Sequence, residues 1–293
     1  MDSKKISDLD KNEMDRAKEL HDEAIFINIL DATHLENWDN DFYSKLQKSG
    51  VTLDQVNVGG ENFGDVVGSI MSFKEAVSNA GKGEIIIAQR TDDILKAKKE
   101  GKLAVFFGCQ HGRVLDKNEK LLEILYNMDL RILGLCYNTR NNLADGCNEV
   151  TDAGLSCFGF KVVDECNKLG ILLDASHVGH QSSLDMFEAS KKPAVFTHSN
   201  AMAIHKNRRN IYDDQIKAAS EKNGVIGITS FGPTVKQLTS NEDIPTLEDL
   251  LDHLDYYVNM IGSDHVGIGI DSDRKRSKED VERQLHNLFD FNA

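Results

Sequence analysis

The chain has 293 residues, of which 40% are hydrophobic and 28% are charged, and its formal net charge is −14 at pH 7. A chain of this length can bury a large core, and the composition is ordinary for a globular protein. The excess of negative charge argues against nucleic acid as a partner, because phosphates would be repelled. No apolar stretch approaches the roughly 18 uninterrupted residues of a membrane span, so we expect no membrane partner.

The N-terminal segment and the cysteines predict a cytoplasmic location. Residues 1–24 are charged throughout and lack the apolar core of a signal peptide. The chain has five cysteines, an odd number, and none of them forms a CxxC pair. This pattern fits free thiols in a reducing compartment better than a disulfide framework. We expect a single domain over residues 1–293, with a polar lead-in at residues 1–22.

Eight apolar segments predict β-strands, nearly all of them followed by a helical pattern. They begin at Ala24, Val51, Leu103, Arg131, Ile171, Ala194, Val225 and Val266, and a brief apolar run at residues 84–88 is left out of this count. Eight β/α units in a chain of this length predict a (β/α)8 barrel, the TIM barrel. The alternative is a doubly wound open sheet, but eight units over-fill it and no GxGxxG turn follows the first strand.

Two histidines follow neighbouring predicted strands at the same relative position. The apolar runs at residues 171–175 and 194–197 lead to His177 and His198, and residues 182–190 between them form a predicted helix. A strand–helix–strand unit places both strand ends on one side of a sheet, where α/β proteins bind ligands and metals. A lone histidine after a strand is usually a capping or core residue, but the repeated position strengthens the case for a metal site.

Other polar residues follow the remaining predicted strands, on what would be the same rim of the barrel. They are Asp31, His34, Glu36, Gln110, His111, Tyr137, Asp271 and Asp273. Imidazole and carboxylate ligands suit zinc, which lowers the pKa of a bound water. Asp271 is then a candidate general base for that water, although a helix cap or a salt bridge would also explain an aspartate there.

Six extended motifs occur in order along the chain. They are residues 135–146 (LCYNTRNNLADG), 154–163 (GLSCFGFKVV), 167–178 (NKLGILLDASHV), 193–199 (PAVFTHS), 208–214 (RRNIYDD) and 265–273 (HVGIGIDSD). Through these motifs the sequence resembles the membrane (renal) dipeptidase family, peptidase family M19. The resemblance extends from about residue 24 to residue 273 and implies a barrel of the metal-dependent-hydrolase type.

The resemblance also implies a function and a set of site residues. It implies a zinc enzyme that cleaves dipeptides, with His177 and His198 as metal ligands. Arg209 matches the arginine that grips the substrate carboxylate, a task suited to a planar guanidinium. Tyr137 falls on a substrate-contacting histidine of the family, and Asp271 matches the acid that handles protons. Family members are often dimers, so a homodimer is implied as well.

Several positions depart from the family pattern and leave the number of metal ions open. The family's His-x-Asp pair after the first strand falls on Thr33-His34-Leu35, although a one-residue shift would offer His34 and Glu36 instead. The bridging glutamate falls on Gln110, whose neutral amide cannot offset the repulsion between two cations. The sequence is therefore compatible with a divergent member that binds two zinc ions, one, or none.

Three functions follow from these observations. The first is a metal-dependent hydrolase that cleaves the amide bond of dipeptides or dipeptide-like compounds. The second is a related amidohydrolase with a single metal that acts on another amide or on a lactone. The third is a catalytically inactive barrel that binds a small carboxylated ligand through Arg209. A broad substrate panel separates the first two, and ligand binding without turnover or metal would identify the third.

Overall fold

Parallel strands alternate with helices along the chain in the computed structural model, which describes residues 9–239 and 243–271. The predicted final helix over residues 277–288 and the rim residue Asp273 lie outside the described residues. The strands are β1 (Phe26–Asp31), β2 (Val51–Asn57), β3 (Ile85–Ile87), β4 (Leu103–Cys109), β5 (Leu130–Gly134), β6 (Leu172–Asp174), β7 (Ala194–Val195), β8 (Ile226–Ile228) and β9 (Val266–Ile268).

Helices follow most of these strands and cover the outside of the sheet. They are α1 (Lys11–Glu23), α2 (Asn40–Lys48), α3 (Phe63–Asn79), α4 (Thr91–Glu100), α5 (Leu121–Asn127), α6 (Cys157–Leu169), α7 (His180–Ala189), α8 (Asp213–Glu221), α9 (Gly232–Val235) and α10 (Leu247–Ile261). Among these helices, none combines the length and the apolar composition that a bilayer crossing requires.

The sheet is a nearly closed barrel of eight parallel strands. Their order is β7-β6-β5-β4-β2-β1-β9-β8. A parallel bridge between Phe196, just after β7, and Ile226 in β8 links the two ends of this path. The predicted (β/α)8 barrel is therefore confirmed, and the carboxyl ends of all eight strands share one rim.

The short strand β3 was not among the predicted strands. Ile85 pairs with Leu103 at the start of β4, whereas β5 pairs with β4 only from Phe107 onward. Since β2 occupies the other edge of β4, β3 and β5 divide one edge between them. Three apolar residues are too few for a periodicity to distinguish a strand from a connecting segment.

Local sequence explains where the main elements form. Every residue of β4 (LAVFFGC) is buried, as expected for a parallel strand covered on both faces. Helix α3 begins with a capping box between Asn62 and Asp65, and α6 ends at Gly170, whose φ of 80° lies in the left-handed region. Helix α1 has no buried residue, in agreement with its polar composition.

Candidate functional site

Four of the predicted site residues occupy equivalent places on the barrel rim. Tyr137, His177, His198 and Asp271 each lie three residues beyond the end of their strand, after β5, β6, β7 and β9 respectively. His177 adopts a left-handed backbone conformation with φ of 69°, which is unusual for a residue with a Cβ. Its carbonyl accepts a hydrogen bond from the amide of Cys147, so the long loop after β5 folds over this position.

The two predicted metal ligands face each other inside the rim. The Nε2 atoms of His177 and His198 are 2.9 Å apart, and the two rings are inclined at 58°. Both side chains are buried, with 7% and 1% of the residue surface exposed. The segments that follow β6 and β7 therefore meet at these two Nε2 atoms.

Hydrogen bonds at the opposite ring nitrogens indicate where each ring carries its proton. Nδ1 of His177 lies 2.7 Å from Oδ1 of Asn138, an acceptor that the Cys147 thiol also contacts. Nδ1 of His198 lies 2.6 Å from Oγ1 of Thr197, whose own proton goes to Asp174. Both rings therefore donate from Nδ1, and each Nε2 presents a lone pair.

Two facing lone pairs at this distance repel unless a cation lies between them. Burial, and then the charge of Arg209, hold the pKa of His177 and of His198 well below the usual value for histidine. A shared proton is therefore disfavoured at neutral pH. A metal ion satisfies both lone pairs, and two Zn–N bonds of about 2.0–2.1 Å can span the observed separation. The donor chemistry of this pair fits one zinc ion.

The donor set fits a second ion poorly. Among the described residues, no group of three or more histidine, cysteine, aspartate or glutamate side chains is arranged to hold a metal, so the histidine pair alone would hold an ion and no further donor group is left for a second one. Thr33 is buried where the family pattern has histidine, and both His34, which precedes the short 3-10 helix after β1, and Glu36, which lies within it, are exposed. Gln110 directly follows β4, and its Oε1 atom is buried without a hydrogen-bond partner, so it supplies an oxygen but no charge.

Arg209 lies beside the histidine pair and is itself buried, with 7% of its surface exposed. Its two terminal nitrogens donate to Oγ of Ser199 at 3.0 Å and to the carbonyl of His198 at 2.8 Å. Within residues 9–239 and 243–271 no carboxylate forms an ion pair with this guanidinium. A buried cation without an anion is costly, so the arrangement suits binding of an anionic group.

Tyr137 and Asp271 have different surroundings on the rim. The Tyr137 ring stacks on His177, with centroids 4.1 Å apart and planes inclined at 27°, and it is 46% exposed. It therefore forms an aromatic wall between the histidine pair and solvent. The Asp271 amide donates to the carbonyl of Leu30 in β1 at 3.3 Å, and its φ of 53° lies in the left-handed region. Asp271 is thereby fixed at the same end of the barrel.

Three residues of the site were missed by the sequence analysis. Asn138, Thr197 and Asp174 fix the two histidine rings, and of the three Thr197 and Asp174 are buried whereas Asn138 is half-buried. A hydroxyl-bearing neighbour before each histidine was visible in the sequence, and Asp174 precedes His177 by three residues. Their contacts with the histidine rings form only when the ends of neighbouring strands come together in the fold.

Comparisons with known proteins agree with this architecture. A sequence profile of the membrane dipeptidase family, peptidase family M19, matches residues 9–286. An uncharacterised dipeptidase of Schizosaccharomyces pombe is 30% identical over 187 residues. That match covers 62% of this chain and 44% of the relative, so the chain aligns with less than half of the relative's length.

Two solved structures share the fold over most of the chain. An amidohydrolase from Pseudomonas aeruginosa has a TM-score of 0.84 and 29% identity, over 92% of this chain and 81% of the other. A metallopeptidase from Rhodobacter sphaeroides, crystallised with a phosphinate mimic of the dipeptide L-Ala-D-Ala, has a TM-score of 0.64 and 22% identity, over 89% and 70%. With a profile match along nearly the whole sequence, the chain belongs to the membrane dipeptidase family, peptidase family M19.

Proposed function

We propose that this protein is a metal-dependent hydrolase that cleaves the amide bond of a small carboxylated compound, with dipeptides as the first candidates. The observation that carries this proposal is the neutral His177–His198 pair beside the Arg209 guanidinium, which has no carboxylate partner among the residues that the structure describes. One group suits a metal and the other suits a carboxylate. Since Arg209 donates to the His198 carbonyl, the two groups are held together by direct contact.

In this proposal the chain's own residues bind and orient the substrate. Arg209 receives the substrate carboxylate, because a guanidinium offers two parallel donors to such a group. Tyr137, stacked on His177, limits the width of the opening above the pair. Asp271, at the end of β9, accepts the proton of the attacking water as a general base. A zinc ion held by His177 and His198 would supply Lewis acidity and lower the pKa of that water.

The relatives support this choice of reaction. The Rhodobacter sphaeroides protein of the same fold was crystallised with a mimic of L-Ala-D-Ala, and the Schizosaccharomyces pombe relative is described as a dipeptidase. A dipeptide carries the free carboxylate that Arg209 requires. We expect a metal content of one zinc per chain, because Thr33, Leu35 and Gln110 provide no anionic ligands for another ion.

A second candidate is hydrolysis of a different amide or of a lactone by the same centre. The observation that favours it is the altered rim. Tyr137 covers His177, and Gln110 places a buried, unpartnered amide oxygen at the position where the family pattern has a charged ligand. The Pseudomonas aeruginosa neighbour is described as an amidohydrolase, which is the broader reaction class. The shape of the substrate decides between the two candidates.

The first test is metal content, followed by a substrate panel. Protein purified without chelator and then reconstituted with Zn²⁺ should contain about one zinc per chain, as a two-histidine centre predicts. It should hydrolyse some members of a panel of L,L- and L,D-dipeptides, N-acyl amino acids, cyclic amides and lactones. Chelation should abolish turnover and added Zn²⁺ should restore it. No metal after reconstitution, or turnover that survives chelation, would contradict the proposal.

A further inference from the structure

A chain of hydrogen bonds lies beneath His198, inside the barrel wall. Oδ1 of Asp174, at the end of β6, accepts the backbone amides of Ser176 and Thr197, each at 2.9 Å. Oδ2 of Asp174 accepts the Thr197 hydroxyl at 2.6 Å. The Thr197 oxygen in turn contacts Nδ1 of His198 at 2.6 Å. All four side chains are buried, with at most 2% of each residue exposed.

The direction of these hydrogen bonds follows from what each group can donate. The Asp174 carboxylate only accepts, so the Thr197 proton points toward it. The Thr197 oxygen is then left with lone pairs, and His198 must donate to it from Nδ1. Ser176 reinforces this order, because its hydroxyl accepts the backbone amide of His198 at 3.1 Å and lies 3.2 Å from the Thr197 oxygen.

We propose that Asp174 and Thr197 form a relay that fixes His198 in the Nδ1–H tautomer and thereby makes its Nε2 a permanent metal ligand. Both are positioning residues, since they act on the centre through His198. The relay rests on the proposed function only in its use of zinc, because the tautomer exists without metal. Hydrogen bonds to the outer nitrogen of a ligating histidine typically contribute about 10–100-fold to metal affinity.

The relay predicts that one nearly isosteric substitution reverses the proton order. In Asp174→Asn, the amide oxygen can still accept the two backbone amides, which places the NH2 group against the Thr197 oxygen. Thr197 would then donate its own proton to Nδ1 of His198, and the His198 proton would move to Nε2. A carboxamide thus converts a metal ligand into a hydrogen-bond donor without a change in side-chain size.

The experiment records ¹⁵N spectra of the histidines in the metal-free full-length protein, with His198 assigned by its loss in His198→Ala. We expect the Nδ1–H tautomer in the wild type and Nε2–H in Asp174→Asn. Zn²⁺ affinity, measured by competition with a chromophoric chelator, should fall by about 10–100-fold in Asp174→Asn. Thr197→Val should lose the defined tautomer, and Thr197→Ser, which keeps the hydroxyl, should retain it together with wild-type affinity.

The matched control is Thr52→Val, at the opposite end of the barrel. Thr52 is a buried strand threonine whose oxygen accepts the amide of Phe26 at 3.3 Å, and it touches no histidine in that pattern. Its replacement should leave both the tautomer and the zinc affinity unchanged.

Two results would overturn the relay. One is a wild-type His198 that carries its proton on Nε2. The other is a folded Asp174→Asn and a folded Thr197→Val that both keep the wild-type tautomer and zinc affinity. If the tautomers behave as expected but no variant, including the wild type, binds Zn²⁺, the relay stands and the proposed function fails. The two ideas can therefore be judged separately.

Discussion

The two sides of the barrel rim are built in different ways. On the side of β6 and β7, every ring nitrogen of His177 and His198 has a short contact, and the rings are held by a carboxylate, a hydroxyl and an amide. On the side of β1, β2 and β4, the side-chain oxygens of Asn57 and Gln110 are buried without a hydrogen-bond partner. On the first side, hydrogen bonds orient both histidine rings so that their Nε2 lone pairs face each other. On the second side, neutral amide groups keep oxygen atoms without a hydrogen-bond partner.

Burial also acts on the two sides in opposite chemical directions. It lowers the pKa of the two histidines and keeps them neutral, which is the form that binds metal. It raises the pKa of the buried carboxyl groups of Asp31 and Asp54, and so favours their neutral form as well. The first effect favours metal ligation and the second disfavours it. We therefore expect one metal position on the rim rather than two.

The contrast between the two sides of the rim would fail if zinc binding and turnover did not require the histidine pair. His198→Ala removes one of the two facing lone pairs, so zinc binding and turnover should fall by well over the roughly 100-fold that loss of an outer hydrogen-bond partner produces. The measurements are zinc content and kcat/KM on the best substrate of the panel. His180→Ala is the matched control, because His180 is exposed on α7 and pairs with Asp214. Equal activity of the two variants would remove the metal centre from the mechanism.

Arg209 lies on the β6–β7 side of the rim, and its substitution tests whether that side also recognises the substrate. Arg209→Lys keeps the charge but loses the two-pronged donor geometry. Loss of a hydrogen bond to a charged group costs about 1.5–3 kcal/mol, or roughly 10–150-fold in KM for carboxylated substrates. A substrate whose carboxylate is amidated should bind both forms equally. Arg208→Lys is the control, since Arg208 is exposed and donates to the carbonyl of Asn148. An unchanged KM in Arg209→Lys would exclude the carboxylate role.

The other side of the rim, with its unpartnered amide oxygens, can be tested by introducing metal-ligating side chains there. The variant Thr33→His/Leu35→Asp/Gln110→Glu brings the histidine and carboxylates of the family pattern to the ends of β1 and β4. We expect zinc content to rise from about one to about two ions per chain, since imidazole and carboxylate ligands suit zinc. Gln110→Glu alone should leave the content at one. A content of two in the wild type would show that the neutral side already binds metal.

The sequence predicted the barrel well because its strands are continuous apolar runs. Strands such as β4 are buried along their whole length, and that pattern is local and readable without a structure. It also placed the predicted ligands on one rim, since each follows a strand. It failed for β3, whose three isoleucines provide no periodicity, and it made β7 longer than the two residues that form the strand.

The chemistry of the site was only partly readable from the sequence. That His177 and His198 approach to 2.9 Å, or that Arg209 lacks an anionic partner among the described residues, depends on contacts between segments distant along the chain. The same is true of Asn138, which lies 39 positions before the histidine it holds. Strand position singles out the two histidines as candidate ligands, but the protonation state of each ring is set by neighbours that only the fold provides.

The smallest expected effect concerns the acid pair on the side of β1 and β2. Asp31 and Asp54 each have a buried Oδ2 atom without a hydrogen-bond partner among the described residues, and Nδ2 of Asn28 donates to Oδ1 of Asp54 at 2.8 Å. Burial raises the pKa of both carboxyl groups above the ordinary value of 3.8. The folded protein therefore binds protons here that the unfolded chain releases, and the wild type loses stability as the pH rises from that ordinary value through the raised pKa.

Asp54→Asn should remove this loss. The amide oxygen still accepts from Asn28, and the neutral amide does not ionise, so a buried charge no longer develops at this position as the pH rises. We expect the melting temperature of Asp54→Asn to exceed that of the wild type at pH 8 and to approach it near pH 4. A gain of about 1 kcal/mol corresponds to roughly 2–4 °C for a large domain. The control is Asp116→Asn, because Asp116 is exposed and its φ of 40° is one that asparagine tolerates. It should leave the melting temperature unchanged at both pH 4 and pH 8. Parallel pH profiles for the wild type and Asp54→Asn would mean that the pair ionises freely in the folded barrel, and the contrast between the two sides of the rim would then be one of hydrogen bonding alone.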